Sequence, residues 1–242
     1  MRKKRLCIFG LLFLIVGIVL MGTFLLDTAE GLARIKKEDE CVAHFLKKAE
    51  AVETIPKTES DEQGDSISQE VKDTEEKEEN WTDDAYYERD GTIYTPEYAS
   101  GYLECVLEIP SIRLRRGVYS GSWEEIRKNL DIWMVTAARP DYELENTVYC
   151  IYGHNHPIQN LSFNRLEQLA VGDRFTLTSQ TSILEYEVTA VYGKTREQTT
   201  TEIVDNFSLS PQDCYLITCG RGNYRYLDFI VRGTLVRRSD LL

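Results

Sequence analysis

Apolar and polar positions follow several different rhythms along this chain, and the changes of rhythm divide it. From Cys7 to Leu26 the sequence is almost uncharged, and about 20 apolar residues are what a helix needs to cross a bilayer. Between Thr28 and Thr54 the pattern becomes amphipathic: Val42, Phe45, Leu46, Ala49 and Val52 recur at helical spacing among Lys and Glu, which predicts a membrane-proximal helix. That helix would pack on the rest of the chain, pack on a second copy, or continue the membrane helix as a stalk. Residues 57–91 show no periodicity. From about Leu103 short β-type runs follow one another: Val106–Leu114, with a proline suited to an edge or bend, then the apolar run Val148–Tyr152. Arg174–Thr178 and Leu184–Tyr192 alternate, and Cys214–Thr218 and Phe229–Val236 close the series. Trp123–Leu130 and Phe163–Leu169 read as helical. About eight short strands over roughly 140 residues predict an all-β barrel or sandwich. The expected segments are a tip and membrane anchor at 1–27, a membrane-proximal helix at 28–56, an acidic flexible linker at 57–102 and a β domain at 103–242.

Charge refines this division. The cluster Arg2-Lys3-Lys4-Arg5 precedes the apolar run, so the N-terminus should stay in the cytoplasm and everything after Asp27 should lie outside. The apolar run is long for a signal peptide and lacks a small-x-small cleavage site, so a retained single-pass anchor is expected. The chain carries a net charge of -12, but residues 57–91 alone hold 14 Asp/Glu against 4 Lys/Arg. Such a segment cannot bury enough apolar surface to order itself. The acidity is therefore local and says little about a substrate, while nucleic acid is disfavoured as a partner. Six cysteines are present, and Cys7 belongs to the anchor. The five outside are an odd number, so at least one thiol should be unpaired in the chain.

Chemistry concentrates at two strand ends. Of three histidines, His44 falls on the membrane-proximal helix, while His154 and His156 follow a buried strand in Tyr152-Gly-His-Asn-His-Pro. Cys219 ends another strand in Ile217-Thr-Cys-Gly-Arg-Gly. A residue at the end of a core strand is held by the scaffold yet open to solvent. One such end with Cys and one with His make the minimal kit of a thiol nucleophile and its acid/base, facing one another across a groove. The plainer readings are a Gly-His turn and a small buried Thr-Cys pair. Zinc held by His154, His156 and Cys219 is a rival, but no carboxylate or further Cys stands at ligand spacing. No cofactor is implied.

At these residues the chain resembles the sortase family. Leu107-Glu-Ile-Pro-Ser-Ile, Tyr152-Gly-His-Asn, Phe163-Asn-Arg-Leu, Val171-Gly-Asp, Leu216-Ile-Thr-Cys and Ile230-Val-Arg-Gly-Thr-Leu occur in the family's order. The resemblance implies an eight-stranded β-barrel in which Cys219 attacks an LPxTG-like sorting signal and His154 protonates the leaving amine. An amine of a peptidoglycan precursor or of another protein then takes the acyl group. Thr218 and Asn155 beside these two, and Ile203, Val204 and Phe207 in the loop Thr195–Pro211, are the expected substrate contacts. The sequence departs from the family at one position. Sortases place an arginine five residues before the small residue that is here Gly233, and this chain has Asp228. Arg225 is the expected replacement, with Arg221 and Arg232 as alternatives. A non-catalytic sortase-like binding module and a metal-dependent hydrolase are the competing functions.

Overall fold

The computed structural model describes residues 2–53, 87–89, 92–95, 98–138, 148–155 and 162–241. Helix α1 runs unbroken over Arg2–Glu53, so the segments expected as anchor and membrane-proximal helix are one element. Next comes a small hairpin, β1 (Tyr87–Arg89) and β2 (Thr92–Tyr94), then β3 (Tyr102–Ile109) and β4 (Leu114–Ser120). Helix α2 (Trp123–Asp131) precedes β5 (Val135–Ala137), β6 (Tyr149–Tyr152), β7 (Arg174–Thr178) and β8 (Ser182–Lys194). A short helix α3 (Arg196–Thr199), continued by the wider turn Thr200–Val204, leads to β9 (Asp213–Cys219) and β10 (Asp228–Asp240).

Eight strands close a barrel in the order β3-β4-β5-β6-β9-β10-β8-β7, with β7 pairing back onto β3. The β4–β5 and β6–β9 pairs are parallel and the others antiparallel. The expected eight-stranded barrel is therefore present. Alternation drives closure. In β8 Leu184, Tyr186 and Val188 point into the core while Glu185 and Glu187 stay at the surface, and the Glu pair binds Arg174 of β7. Phe175 and Tyr186 stack inside with ring centroids 5.1 Å apart.

Three sequence expectations change. The apolar run Val106–Leu114 is two strands, because Pro110 begins a 3-10 turn and Arg113 adopts a left-handed conformation (φ 53), which proline's missing N–H and fixed φ favour. In the last part of the expected linker the described residues 87–89, 92–95 and 98–102 join the fold: β2 pairs with β3, and Ile93, Tyr98 and Ala99 are buried. The linker residues 54–86 lie outside the described residues. Finally, Phe163–Leu169 holds only a 3-10 turn at Leu166–Gln168.

A second apolar layer forms between α1 and the outside of β3 and β4. Cys41, Val42, Phe45 and Ala49 pack with Ile93, Tyr98, Leu103, Val106 and Tyr119, along the stripe seen in the sequence. Glu38, buried, accepts a hydrogen bond from the Gly117 N–H at 2.8 Å. The parallel β6–β9 ladder pairs Tyr149 with Cys214 and Cys150 with Tyr215. Cys150 and Cys214 are thus neighbours one step out of register, both buried and neither in a disulfide.

Candidate active site

The same ladder positions the two chemical residues. Tyr152 stands opposite Ile217, and the Gly153 N–H continues the pattern to the Ile217 carbonyl at 3.1 Å. Two residues further on, one strand reaches His154 and the other Cys219. Equal steps along parallel neighbours leave both side chains on the same side. Glycines permit the close packing here. A Cβ on Gly153 would meet the Phe163 ring at 2.8 Å, and one on Gly220 would meet Tyr224 at 2.5 Å.

The Cys219 thiol is exposed. The half-buried His154 imidazole faces the Leu130 carbonyl and the Asp131 carboxylate at the end of α2. Burial holds its pKa below the usual histidine value, and the Arg196 guanidinium adds to this, while Asp131 and the Leu130 carbonyl oppose it. The imidazole is therefore biased to its neutral form, with a carbonyl and a carboxylate to orient it.

Three strand ends meet at the thiol. Cys219 of β9 pairs with Asp228 of β10, and Asp228 pairs on its other side with Lys194 of β8. Two residues past Lys194, Arg196 turns back over this row. Its guanidinium lies 2.9 Å from Asp228 Oδ1 and donates to Cys219 Sγ at 3.6 Å. Arg196 is the cation that sequence reasoning missed. Its signal was an aspartate at the family's arginine position with an arginine just past the adjoining strand, legible only once the strand order is known.

Arg225, the expected replacement, has its guanidinium over the exposed ring of Tyr226 at 4.8 Å. Arg221 is tied elsewhere, its side chain to the Asn155 carbonyl and its backbone N–H to Glu167 Oε1 at 2.6 Å. Arg232 sits higher on β10, within 3.9 Å of Asp213. Asn155 donates to the Cys219 carbonyl at 2.9 Å and to Glu167 at 3.3 Å. It ties the exit of β6 to the exit of β9. Thr218 is buried. Ile203 and Val204, expected as peptide contacts, are buried in the barrel core, where they pin the loop. Phe207 is 70% exposed and remains available to a ligand. His156 lies outside the described residues.

The family model of the Sortase domain matches residues 107–236. The chain belongs to the sortase family, whose members are cysteine transpeptidases. It is similar to the solved structure of Listeria monocytogenes sortase A at 22% identity, covering 58% of this chain and 91% of that one, with a TM-score of 0.49. Streptomyces coelicolor sortase E1, solved with a tripeptide in the active site, is 18% identical over 57% of this chain and 90% of that one, TM-score 0.45. Sortase C1 of Streptococcus agalactiae is 20% identical over 55% and 67%, TM-score 0.44. No curated protein matches the chain.

Proposed function

We propose that this protein is a membrane-anchored transpeptidase acting outside the cell on an LPxTG-like sorting signal. The observation that carries this reading is the parallel register that sets His154 beside Cys219 at two adjoining strand ends. His154, neutral at rest, takes the Cys219 thiol proton as the sulfur attacks the carbonyl carbon of the scissile Thr–Gly bond, forming a C–S bond. The C–N bond then breaks, and the leaving amine takes a proton from His154. An amine of a peptidoglycan precursor or of another protein attacks the thioester and gives its proton to His154, and the sulfur leaves. No cofactor takes part. The apolar part of α1, long enough to span a bilayer, is the anchor, with the basic N-terminus on the cytoplasmic side.

The test is a screen of the full-length protein in nanodiscs with LPxTG-like peptides and an added amine. Intact-mass detection should show a thioester on the wild type that Cys219→Ala lacks, and amine-capped product. A second reading is favoured by one observation, a buried carboxylate where the family has its arginine: a sortase-fold binding module without turnover. Peptide binding with no thioester would select it.

A further inference from the structure

Asp228 stands beside Cys219, where a carboxylate would repel a negative charge growing on the substrate carbonyl. It is buried, at 3% exposure, and its Oδ2 has no hydrogen-bond partner among the described residues. A lone buried carboxylate is costly unless paired. Its partner is Arg196, whose guanidinium also touches the sulfur. Resting on the transpeptidase reading, we propose that Arg196 is the oxyanion donor of this enzyme and that Asp228 is the positioning residue that holds it. A carboxylate stands at the family's arginine position, and the arginine comes from elsewhere. The cation now comes from the exit of the neighbouring strand, and the vacated position secures it.

The geometry suits the task. In the tetrahedral intermediate the oxyanion is two bonds from Sγ, so a donor already in contact with the sulfur lies within hydrogen-bond reach of that oxygen. The charged donor strengthens such a bond. Arg196 itself is 65% exposed, and an unrestrained arginine would lose much rotamer freedom on fixing. Two devices reduce that loss. The Asp228 carboxylate anchors the guanidinium, and a capping box fixes the backbone, with Thr195 Oγ1 accepting from the Gln198 N–H and the Thr195 N–H donating to Gln198 Oε1. Arg225, Arg221 and Arg232 have other partners: the Tyr226 ring, the Asn155 carbonyl and Asp213.

The experiment uses full-length protein and a fluorogenic LPxTG-type peptide. Arg196→Ala should cut kcat by about 10²–10³ with KM changed less than about threefold. Because Arg196→Ala alone strands a buried charge, Arg196→Ala/Asp228→Asn is the companion. It should be equally slow with a Tm near wild type. Placing the guanidinium back at the family position, Arg196→Ala/Asp228→Arg, should recover at least about tenfold of that loss. Two readouts do not need turnover. The ratio of Cys219 labelling by an anionic methanethiosulfonate to labelling by a cationic one should fall about threefold or more in Arg196→Ala, as expected for one unit charge near the sulfur in a high-dielectric site. The His154 titration midpoint by NMR should rise in the same variant. Full turnover in Arg196→Ala, or a larger loss in Arg225→Ala, overturns the proposal while leaving the transpeptidase reading intact. A wild-type protein that forms no thioester overturns the transpeptidase reading and the oxyanion role with it, even where the reagents still register the guanidinium.

Discussion

Glu104 of β3 lies against Tyr149 and Ser120 with little access to water, and burial pushes its carboxyl up to about 7, against the opposing effect of those two hydroxyls. The folded value lies above the ordinary 4.5, so folding favours the protonated form. Stability from this group is full below pH 4.5 and is lost as pH rises through about 7. At 1.36 kcal/mol per unit, ionisation at pH 8 costs on the order of 3 kcal/mol. Glu104→Gln should therefore stabilise the barrel by about 2–3 kcal/mol at pH 8 and by less than about 1 kcal/mol at pH 4.5. Urea unfolding at both pH values checks this, and a gain independent of pH would contradict it. At this scale the sequence was uneven. Cys219 and His154 were legible because each stands beside a glycine at the end of an apolar run. Arg196 was not, because its role depends on Lys194, Asp228 and Cys219 lying in one row across three strands, and no local pattern encodes that row.

The segment between β8 and β9 divides its work among three apolar side chains. Ile203 and Val204 sit in the barrel core while Phe207 is exposed at the surface. Losing a buried aliphatic side chain costs about 2–5 kcal/mol, so Ile203→Asn should destabilise by roughly 3 kcal/mol or more in thermal or urea unfolding. Phe207→Ala should leave stability within about 0.5 kcal/mol, as for an exposed site, and raise the KM for the sorting peptide severalfold. An unchanged KM would remove Phe207 from the groove. The elements themselves were legible in proportion to their alternation. β7 and β8 were plain from their period of two. The β3–β4 hairpin was read as one run because apolar residues continue across its turn, from Ile109 through Ile112 to Leu114. β1, β2 and β5 are three residues each, too short to show any period, and the first two adjoin a strongly acidic stretch.

At the scale of the molecule, the membrane-anchored reading proposed above and the docking of α1 together predict which end of the barrel faces the bilayer. Asp39 lies 3.6 Å from Arg116, Glu38 binds Gly117, and Cys41 packs with Tyr98 and Tyr119. Following α1 away from its apolar half therefore follows β4 from its start towards its end. β5 runs parallel to β4, β6 antiparallel to β5, and β9 parallel to β6. β6 and β9 thus run back towards the apolar half of α1, and they end in His154 and Cys219. The opposite rim is set by the far end of β8, where Ser182 pairs with Asp240, 12 residues from the Lys194 that shares a row with Cys219. From Leu26 to Glu38 is about 18 Å of helix at 1.5 Å per residue, so the catalytic rim should hang on the order of 20–30 Å above the membrane and open towards it. Energy transfer to acceptor-labelled lipid headgroups tests this in nanodiscs. Donor attached at Cys219, the exposed one among the described free thiols, should transfer more efficiently than donor attached at the exposed Thr181→Cys in a Cys219→Ser background. Stronger transfer from position 181 would mean that the barrel points its site away from the bilayer and that α1 does not hold this docking in a membrane. Equal transfer would mean a barrel that tumbles on its anchor, with the Glu38–Gly117 contact broken. The expected ordering would place the thiol within reach of chains that emerge from the same membrane, a constraint built by a buried carboxylate and four apolar side chains on one face of one helix.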